Sequence, residues 1–186
     1  MIGDARKSWS ARLTNTRKAK GDRAERDAVT FLQTYIPHLL VDTPQRKLGA
    51  GRLLDTGDLD VFSDVVVQVK NHANFNSALR LAAEGAAAQA MHARAQFGIG
   101  MVMLPRLPIT DHYRWIFVGI EWPTNDDYDA NVKTADDLLV VLRATKHREM
   151  LVKLERGDRA PLLASWIDRW AHDYQAATSR STENVR

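Results

Sequence analysis

The sequence contains no cysteine and no long apolar run, and both absences narrow what the protein can be. Without cysteine, a disulfide framework and a thiolate zinc site are excluded, and a cytoplasmic location is the simplest expectation. No apolar segment approaches the roughly 20 residues that a bilayer-spanning helix needs, and charged residues stand where a secretory signal would be apolar. We therefore expect a protein with no membrane segment.

Close pairs of histidines are also missing. The 186 residues include six scattered histidines, none at the spacing of a metal-ligand pair, so hydrolytic zinc chemistry is not expected. The length suits one domain with a hydrophobic core. We divide the chain into a basic N-terminal arm (1–19), an α/β core (20–125), a helical extension packed on the core (126–177) and a flexible tail (178–186).

Positive charge is concentrated near the N-terminus, although the net charge is only +3. The residues before Gly21 include six basic side chains against one acid, Asp4. An arm that contacts phosphates has this composition, and so does a disordered tail that only aids solubility. The composition leaves both interpretations open.

The first convincing helix begins at Lys20. Apolar residues recur from there at three- and four-residue steps, and Pro37 marks the end of the pattern. Glu25 lies beside the apolar stripe, so we expect its carboxylate to point along the side that faces the core and to need a partner. The alternative is a surface position in which Glu25 pairs with a nearby arginine such as Arg23 or Arg26.

A basic loop follows a strand that we predict at residues 39–43. Residues 44–52 combine glycine and alanine with Arg46, Lys47 and Arg52; glycine lets a main chain approach a phosphate backbone, and arginine binds phosphate oxygens. We assign these cations, with Lys20, as candidate DNA contacts, while an ordinary exposed loop remains the alternative. The loop lacks a Gly-Lys-Ser/Thr ending, so no nucleotide cofactor is expected.

Residues 57–70 are the most informative segment. Two runs rich in β-branched residues flank a polar pair, which predicts a tight hairpin. Because strand side chains alternate between faces, Asp58 and Asp60 share one side, and Gln68 and Lys70 also share a side. These polar residues interrupt otherwise apolar strands, and such a conflict indicates a functional site.

The rest of the pattern predicts a mixed α/β fold with helices flanking a central sheet. We expect an alanine-rich second helix whose Gln89 is exposed, a helix that ends at Gly157, a fourth helix after Pro161 and a frayed C-terminus. The expected bounds are 78–96 for the second helix, 98–104 and 113–120 for two strands, and residue 134 for the start of a capped third helix.

The candidate residues suit phosphodiester hydrolysis. Carboxylate and amide oxygens hold Mg²⁺, which lowers the pKa of a bound water, and a lysine orients that water or stabilises the transition state. Glu25, Asp58, Asp60 and Gln68 are the candidate Mg²⁺ ligands, and Lys70 is the candidate lysine. Mn²⁺ is expected to substitute.

The order of these motifs resembles the PD-(D/E)XK nuclease superfamily, and within it the Holliday-junction-resolvase-like nucleases of phages and archaea. The resemblance covers about residues 20 to 120. It implies a restriction-endonuclease-like core with extra C-terminal helices, and a homodimeric, Mg²⁺-dependent endonuclease that cuts branched DNA in recombination, in the host cytoplasm if a phage encodes it. The implied roles are Asp58 as central metal ligand, Gln68 in the place of the second acid, Lys70 as catalytic lysine and Glu25 as the acid of helix one.

Gln68 departs from the family pattern, because an acid usually stands there. Glutamine brings an oxygen ligand without negative charge, so weaker metal binding is expected. The sequence also leaves open whether Asp58 or Asp60 is the principal ligand. Two other functions remain: a nuclease that acts on linear duplex or DNA ends, and a non-catalytic DNA-binding or assembly protein with a weakened metal site.

Overall fold

The computed structural model describes the backbone of residues 4–47, 57–124, 128–144 and 148–183, and the side chains of these ranges from residue 18 to residue 180. Within these residues, eight strands form one sheet that four helices flank. The helices are α1 (Asp4–Tyr35), α2 (Phe75–Ala93), α3 (Ala135–Ala144) and α4 (Ile167–Glu183). The strands are β1 (Gln45–Arg46), β2 (Leu59–Asp60), β3 (Val65–Lys70), β4 (Phe97–Met103), β5 (Trp115–Gly119), β6 (Ala130–Val132), β7 (Val152–Arg156) and β8 (Arg159–Ser165).

The sheet is mixed, with the strand order β1-β2-β3-β4-β5-β8-β7-β6. Strands β3 and β4 are parallel, as are β6 and β7, and the other neighbouring pairs are antiparallel. Helix α2 connects the parallel strands β3 and β4, as a parallel pair requires. The expected α/β class, a central mixed sheet flanked by helices, is confirmed. None of the helices in the described ranges combines the length and hydropathy that crossing a membrane requires.

Each face of the sheet carries its own hydrophobic cluster. Apolar residues of α1 and α4 pack on one face, and those of α2 and α3 pack on the other. The alternation of β3 follows this division: Val65, Val67 and Val69 belong to the α1 and α4 cluster, while Gln68 contacts α2 beside Gly85. Helix α1 on one face and helix α2 on the other therefore bring different groups to the β2–β3 pair, which lies next to the edge strand β1.

Helix α2 lies unusually close to β4 because both elements carry small residues. A methyl group added at Gly98 would lie 2.4 Å from the carbonyl oxygen of Ala86, and one added at Gly100 would lie 2.6 Å from the Cβ of Ala82. Only glycine fits at these two strand positions. The alanines of α2 and the glycines of β4 thus hold α2 against the sheet.

Several predicted elements are confirmed within a few residues. The second helix begins after the N-cap Asn74, whose side chain accepts a 2.8 Å hydrogen bond from the backbone of Ser77. The third helix begins after Thr134, whose hydroxyl accepts a hydrogen bond from the backbone of Asp137. Both predicted strands between these helices are present as β4 and β5.

The N-terminal third differs from expectation in two ways. Helix α1 begins at Asp4, so the segment expected as an arm continues the helix; its 32 residues include no proline and only one glycine, Gly21. Residues 39–43 form no strand, because a 3-10 turn at Pro37–Leu39 and a bend occupy this segment. Strand β1 forms instead within the predicted basic loop.

The predicted helical extension is wrong, because residues 126–177 supply three strands to the same sheet. Gly157 has a φ of +61° in the turn between β7 and β8 and ends no helix. Strand β8 replaces the first part of the predicted fourth helix: a strand between two others is buried on both faces, and its continuous apolar run imitates helical spacing. Helix α4 then continues to Glu183, past the expected start of the tail at residue 178.

Candidate functional site

The predicted hairpin is present, but its first strand is much shorter than its second. Strand β2 has two residues and β3 has six, and Leu59 pairs with Val67. Gly57 opens the hairpin with a φ of +100°, and a methyl group there would lie 2.8 Å from Val66 Cγ1. Glycine therefore lets the chain enter β2 closely against β3.

Asp58 completes the pairing of β3 with its side chain. Its backbone N–H donates to the carbonyl of Val67 at 2.8 Å, and its Oδ2 accepts from the backbone N–H of Val69 at 2.7 Å. Strand β2 begins only at Leu59, opposite Val67, so the side chain of Asp58 rather than a strand carbonyl accepts from Val69. Gln68 Nε2 also donates to Asp58 Oδ2. The carboxylate is thus held in place by a main-chain donor and an amide donor.

Gln68 is buried, with 4% of its surface exposed. Its Nε2 faces Asp58, and its Oε1 faces helix α2, where a methyl group added at Gly85 would lie 3.2 Å away. The absence of a side chain at Gly85 gives the amide its room. The sequence analysis placed Gln68 and Asp58 in one candidate site as metal ligands, but it predicted neither their direct hydrogen bond nor the role of Gly85.

Glu25 lies half-buried on α1 and reaches the same edge. Its Oε2 accepts from Arg46 Nε at 2.8 Å, and Arg46 Nη2 also lies 2.8 Å from this oxygen. Burial raises the pKa of Glu25 and the nearby Asp58 carboxylate raises it further, against the lowering effect of Arg46. The carboxylate is therefore partly buried beside a second acid, and its partner is Arg46 rather than Arg23 or Arg26.

Asp22 is a member of this cluster that the sequence analysis missed. It precedes Glu25 by one helical turn, and its Oδ1 lies 2.8 Å from Arg46 Nη2. The three-residue spacing of the two acids on one helix was the available signal, since such residues are neighbours on a helix surface. One arginine of β1 thus bridges two acids of α1.

Lys70 and Asp60 lie at the margins of the cluster. Lys70 is half-buried at the end of β3, opposite Val102 of the parallel strand β4. Asp60 is exposed and pairs in register with Gln45 of β1. Of the two candidate metal ligands Asp58 and Asp60, Asp58 is the one that contacts Gln68.

The candidate DNA contacts are dispersed. Lys20 is exposed on α1, and Arg46 is engaged with acids rather than open to solvent. Lys47 is half-buried, and its backbone N–H donates to the carbonyl of Asp58 at 2.8 Å. Arg52 lies outside the described residues.

The cluster contains oxygen donors of the type that a hard divalent cation prefers. The described residues include no group of three histidines or acids able to hold a metal ion. Mg²⁺, however, is often held by only one or two carboxylates together with waters and substrate phosphates. Asp58 and Glu25 supply two such carboxylates, and Gln68 supplies an amide oxygen if its amide group turns by half a rotation, because its nitrogen now faces Asp58.

Comparisons of the chain with protein-family models, curated proteins and solved structures find no match. The chemistry of the site is therefore indicated only by its own residues. Those residues are two carboxylates and an amide at the edge of the sheet, with a lysine at the end of the same strand.

Proposed function

We propose that the protein is a Mg²⁺-dependent endonuclease of the PD-(D/E)XK type that cuts branched DNA. The observation that carries this proposal is the contact between Asp58 and Gln68 in the β2–β3 pair. Glu25 of α1 lies close enough to Asp58 that the Asp58 carboxylate raises the pKa of Glu25. Glu25 lies on a different element from Asp58 and Gln68, and a buried amide beside two carboxylates is an uncommon combination in a strand pair. Their convergence supports a shared chemical role.

Each residue has a distinct task in this proposal. Asp58 and Glu25 would hold the cation, and the Gln68 amide oxygen would be a third ligand. When bound, the cation lowers the pKa of a water and neutralises charge on the phosphate. Lys70 lies two residues after Gln68 on the same strand, so it points to the same side and donates to the attacking water or to the phosphate oxygens.

The arrangement of elements supports a restriction-endonuclease-like core. Helix α1 carries the first acid, the β2–β3 hairpin carries the second acid and the Gln-x-Lys pair, and α2 leads to the parallel strand β4. In this proposal the protein acts as a homodimer, because a four-way junction is symmetric and two sites related by a two-fold axis match it. Mn²⁺ replaces Mg²⁺.

A non-catalytic DNA-binding protein is the second candidate, and one observation favours it. Arg46 binds Glu25, and Gln68 donates to Asp58, so both carboxylates have protein partners that stabilise them without a metal. A protein of this kind binds DNA with a steep salt dependence but no measurable Mg²⁺ or Mn²⁺.

Cleavage of labelled DNA tests the proposal. Four-way junctions, flaps and linear duplexes are incubated with the protein and Mg²⁺, and the products are mapped. We expect symmetric nicks in the junction that Lys70→Ala and Asp58→Asn abolish, with a smaller loss in Asp60→Asn. Preferred cleavage of linear duplex would redirect the proposal to another nuclease substrate, and no cleavage of any DNA with either metal would refute it.

A further inference from the structure

Arg46 occupies the acidic cluster as an internal cation. Its Nη2 lies 2.8 Å from Asp22 Oδ1 and 2.8 Å from Glu25 Oε2, and its Nε donates to the same Glu25 oxygen at 2.8 Å. The side chain is 22% exposed. Charge-assisted hydrogen bonds of this length are among the strongest that a side chain makes.

The position of Arg46 sets it in competition with a metal ion. Two N–H groups of the guanidinium contact Glu25 Oε2, and their positive charge reduces the negative potential that would attract a divalent cation. A cation that binds Glu25 must therefore displace this contact or share the carboxylate with it. Arg46 is the described residue best placed to control whether Glu25 can act as a ligand.

The position of Arg46 also allows it to exchange its acidic partners for another anion. It lies at the end of β1, a two-residue strand at the edge of the sheet whose neighbour is β2. A phosphate group offers the planar guanidinium the same two-pronged hydrogen bonding as a carboxylate. Phosphate oxygens of bound DNA are therefore the natural alternative partner for Arg46.

We propose that Arg46 is an exchangeable counter-ion that couples DNA binding to metal binding. In the free protein it neutralises Asp22 and Glu25 and suppresses cation binding. When a DNA phosphate binds Arg46, Glu25 becomes available to bind the metal ion. Bound DNA and bound metal therefore each increase the affinity of the protein for the other. This inference rests on the proposed function, because it assumes that Glu25 helps to bind a metal.

The test measures Mn²⁺ affinity by isothermal titration calorimetry, with and without a short DNA duplex whose linkages resist cleavage. Arg46→Gln should bind Mn²⁺ on the order of tenfold more tightly than the wild type, because one positive charge beside the ligands is lost. DNA should tighten Mn²⁺ binding more in the wild type than in Arg46→Gln, because in the variant only the DNA phosphates add to the site and no competing guanidinium is removed. Arg46→Lys keeps the charge and should remain closer to the wild type.

Arg26→Gln is the matched control, because Arg26 is an exposed arginine next to Glu25 in sequence. It also removes one positive charge, from the turn of α1 that carries Glu25, and should leave Mn²⁺ affinity within about twofold, since a solvent-exposed charge is strongly screened. Circular dichroism verifies that each variant is folded.

Two results separate failure of this inference from failure of the proposed function. If the wild type binds Mn²⁺ and Arg46→Gln binds it equally well, Arg46 is a structural ion pair and the inference is wrong while the metal site stands. If neither protein binds Mn²⁺ in the presence or absence of DNA, the proposed function and the inference both fail.

Discussion

Replacing Gln68 by glutamate gives the site the second acid that the proposed nuclease function favours, and the effect on stability follows from the contacts of Gln68. Gln68 is buried and donates to Asp58, so Gln68→Glu removes this hydrogen bond and places two carboxylates against each other. Losing a hydrogen bond to a charged group and adding a buried like charge cost about 2–4 kcal/mol of unfolding free energy. The metal-free variant should be less stable than the wild type by this amount.

Mn²⁺ should reverse the loss. A cation between two carboxylates removes their repulsion, and a ligand at a thousandfold excess over its dissociation constant stabilises a folded protein by about 4 kcal/mol. We expect Gln68→Glu to bind Mn²⁺ on the order of 30-fold more tightly than the wild type, which corresponds to about 2 kcal/mol. Urea unfolding in EDTA and in millimolar Mn²⁺ measures both effects.

Gln89→Glu is a matched control. Gln89 is also buried, against the expectation that it is a surface residue, and its Oε1 has no hydrogen-bond partner. A glutamate there should destabilise the protein through burial of its charge, with no recovery in Mn²⁺. Two results would refute this prediction: Gln68→Glu as stable as the wild type in EDTA, or Mn²⁺ stabilising Gln68→Glu and Gln89→Glu equally.

Three further predictions concern the stability of the fold. In a helix, Gly21→Ala should stabilise by about 1 kcal/mol, whereas Gly85→Ala should gain less, because its methyl group meets a buried amide at 3.2 Å; urea unfolding compares the two. The pKa of Glu25 is raised above 4.5 in the folded protein, so the folded state binds this proton more tightly than the unfolded chain. In EDTA, the unfolding free energy of the wild type minus that of Glu25→Gln should therefore fall as the pH rises from 4.5 through the Glu25 pKa of the folded protein. A difference that rises with pH would contradict this. Asp173→Ala should cost about 3–5 kcal/mol, because the buried carboxylate accepts from Trp122 Nε1 at 2.8 Å and pairs with an arginine, and a loss below 1 kcal/mol in thermal unfolding would refute its role.

The hairpin was predictable because its information is local. Alternation between valine and polar residues, together with the polar pair at its turn, fixes which side chains share a face over residues 57–70. The contact between Asp58 and Gln68 follows from that alternation once the strands pair. The choice of Asp58 over Asp60 did not, because it depends on where β2 stops pairing with β3.

The environment of Glu25 was not predictable from local pattern. Its partner Arg46 is 21 residues away in sequence and lies on β1, a two-residue strand that no periodicity marks. The same cation was expected to contact DNA, and the fold instead places it among acids. Long-range ion pairs of this kind depend on the sheet order, which a single sequence does not specify.

The C-terminal region shows the limit of hydrophobic periodicity. Leu162, Leu163 and Trp166 have helical spacing, yet the first two belong to β8, a strand with neighbours on both sides. A strand buried on both faces has apolar residues at successive positions, so it cannot be distinguished from a helix by period alone. The glycine and aspartate that precede this run, at residues 157 and 158, were the better signal, because they are typical of a hairpin turn.

The most direct measurement of the central claim is the anomalous scattering of a crystal soaked in Mn²⁺. We expect one strong peak beside the β2–β3 pair, with oxygen ligands from Asp58 and Glu25 and with the Gln68 amide turned so that Oε1 faces the metal. A structure at the same Mn²⁺ concentration with no peak there, and with Gln68 still donating to Asp58, would contradict it.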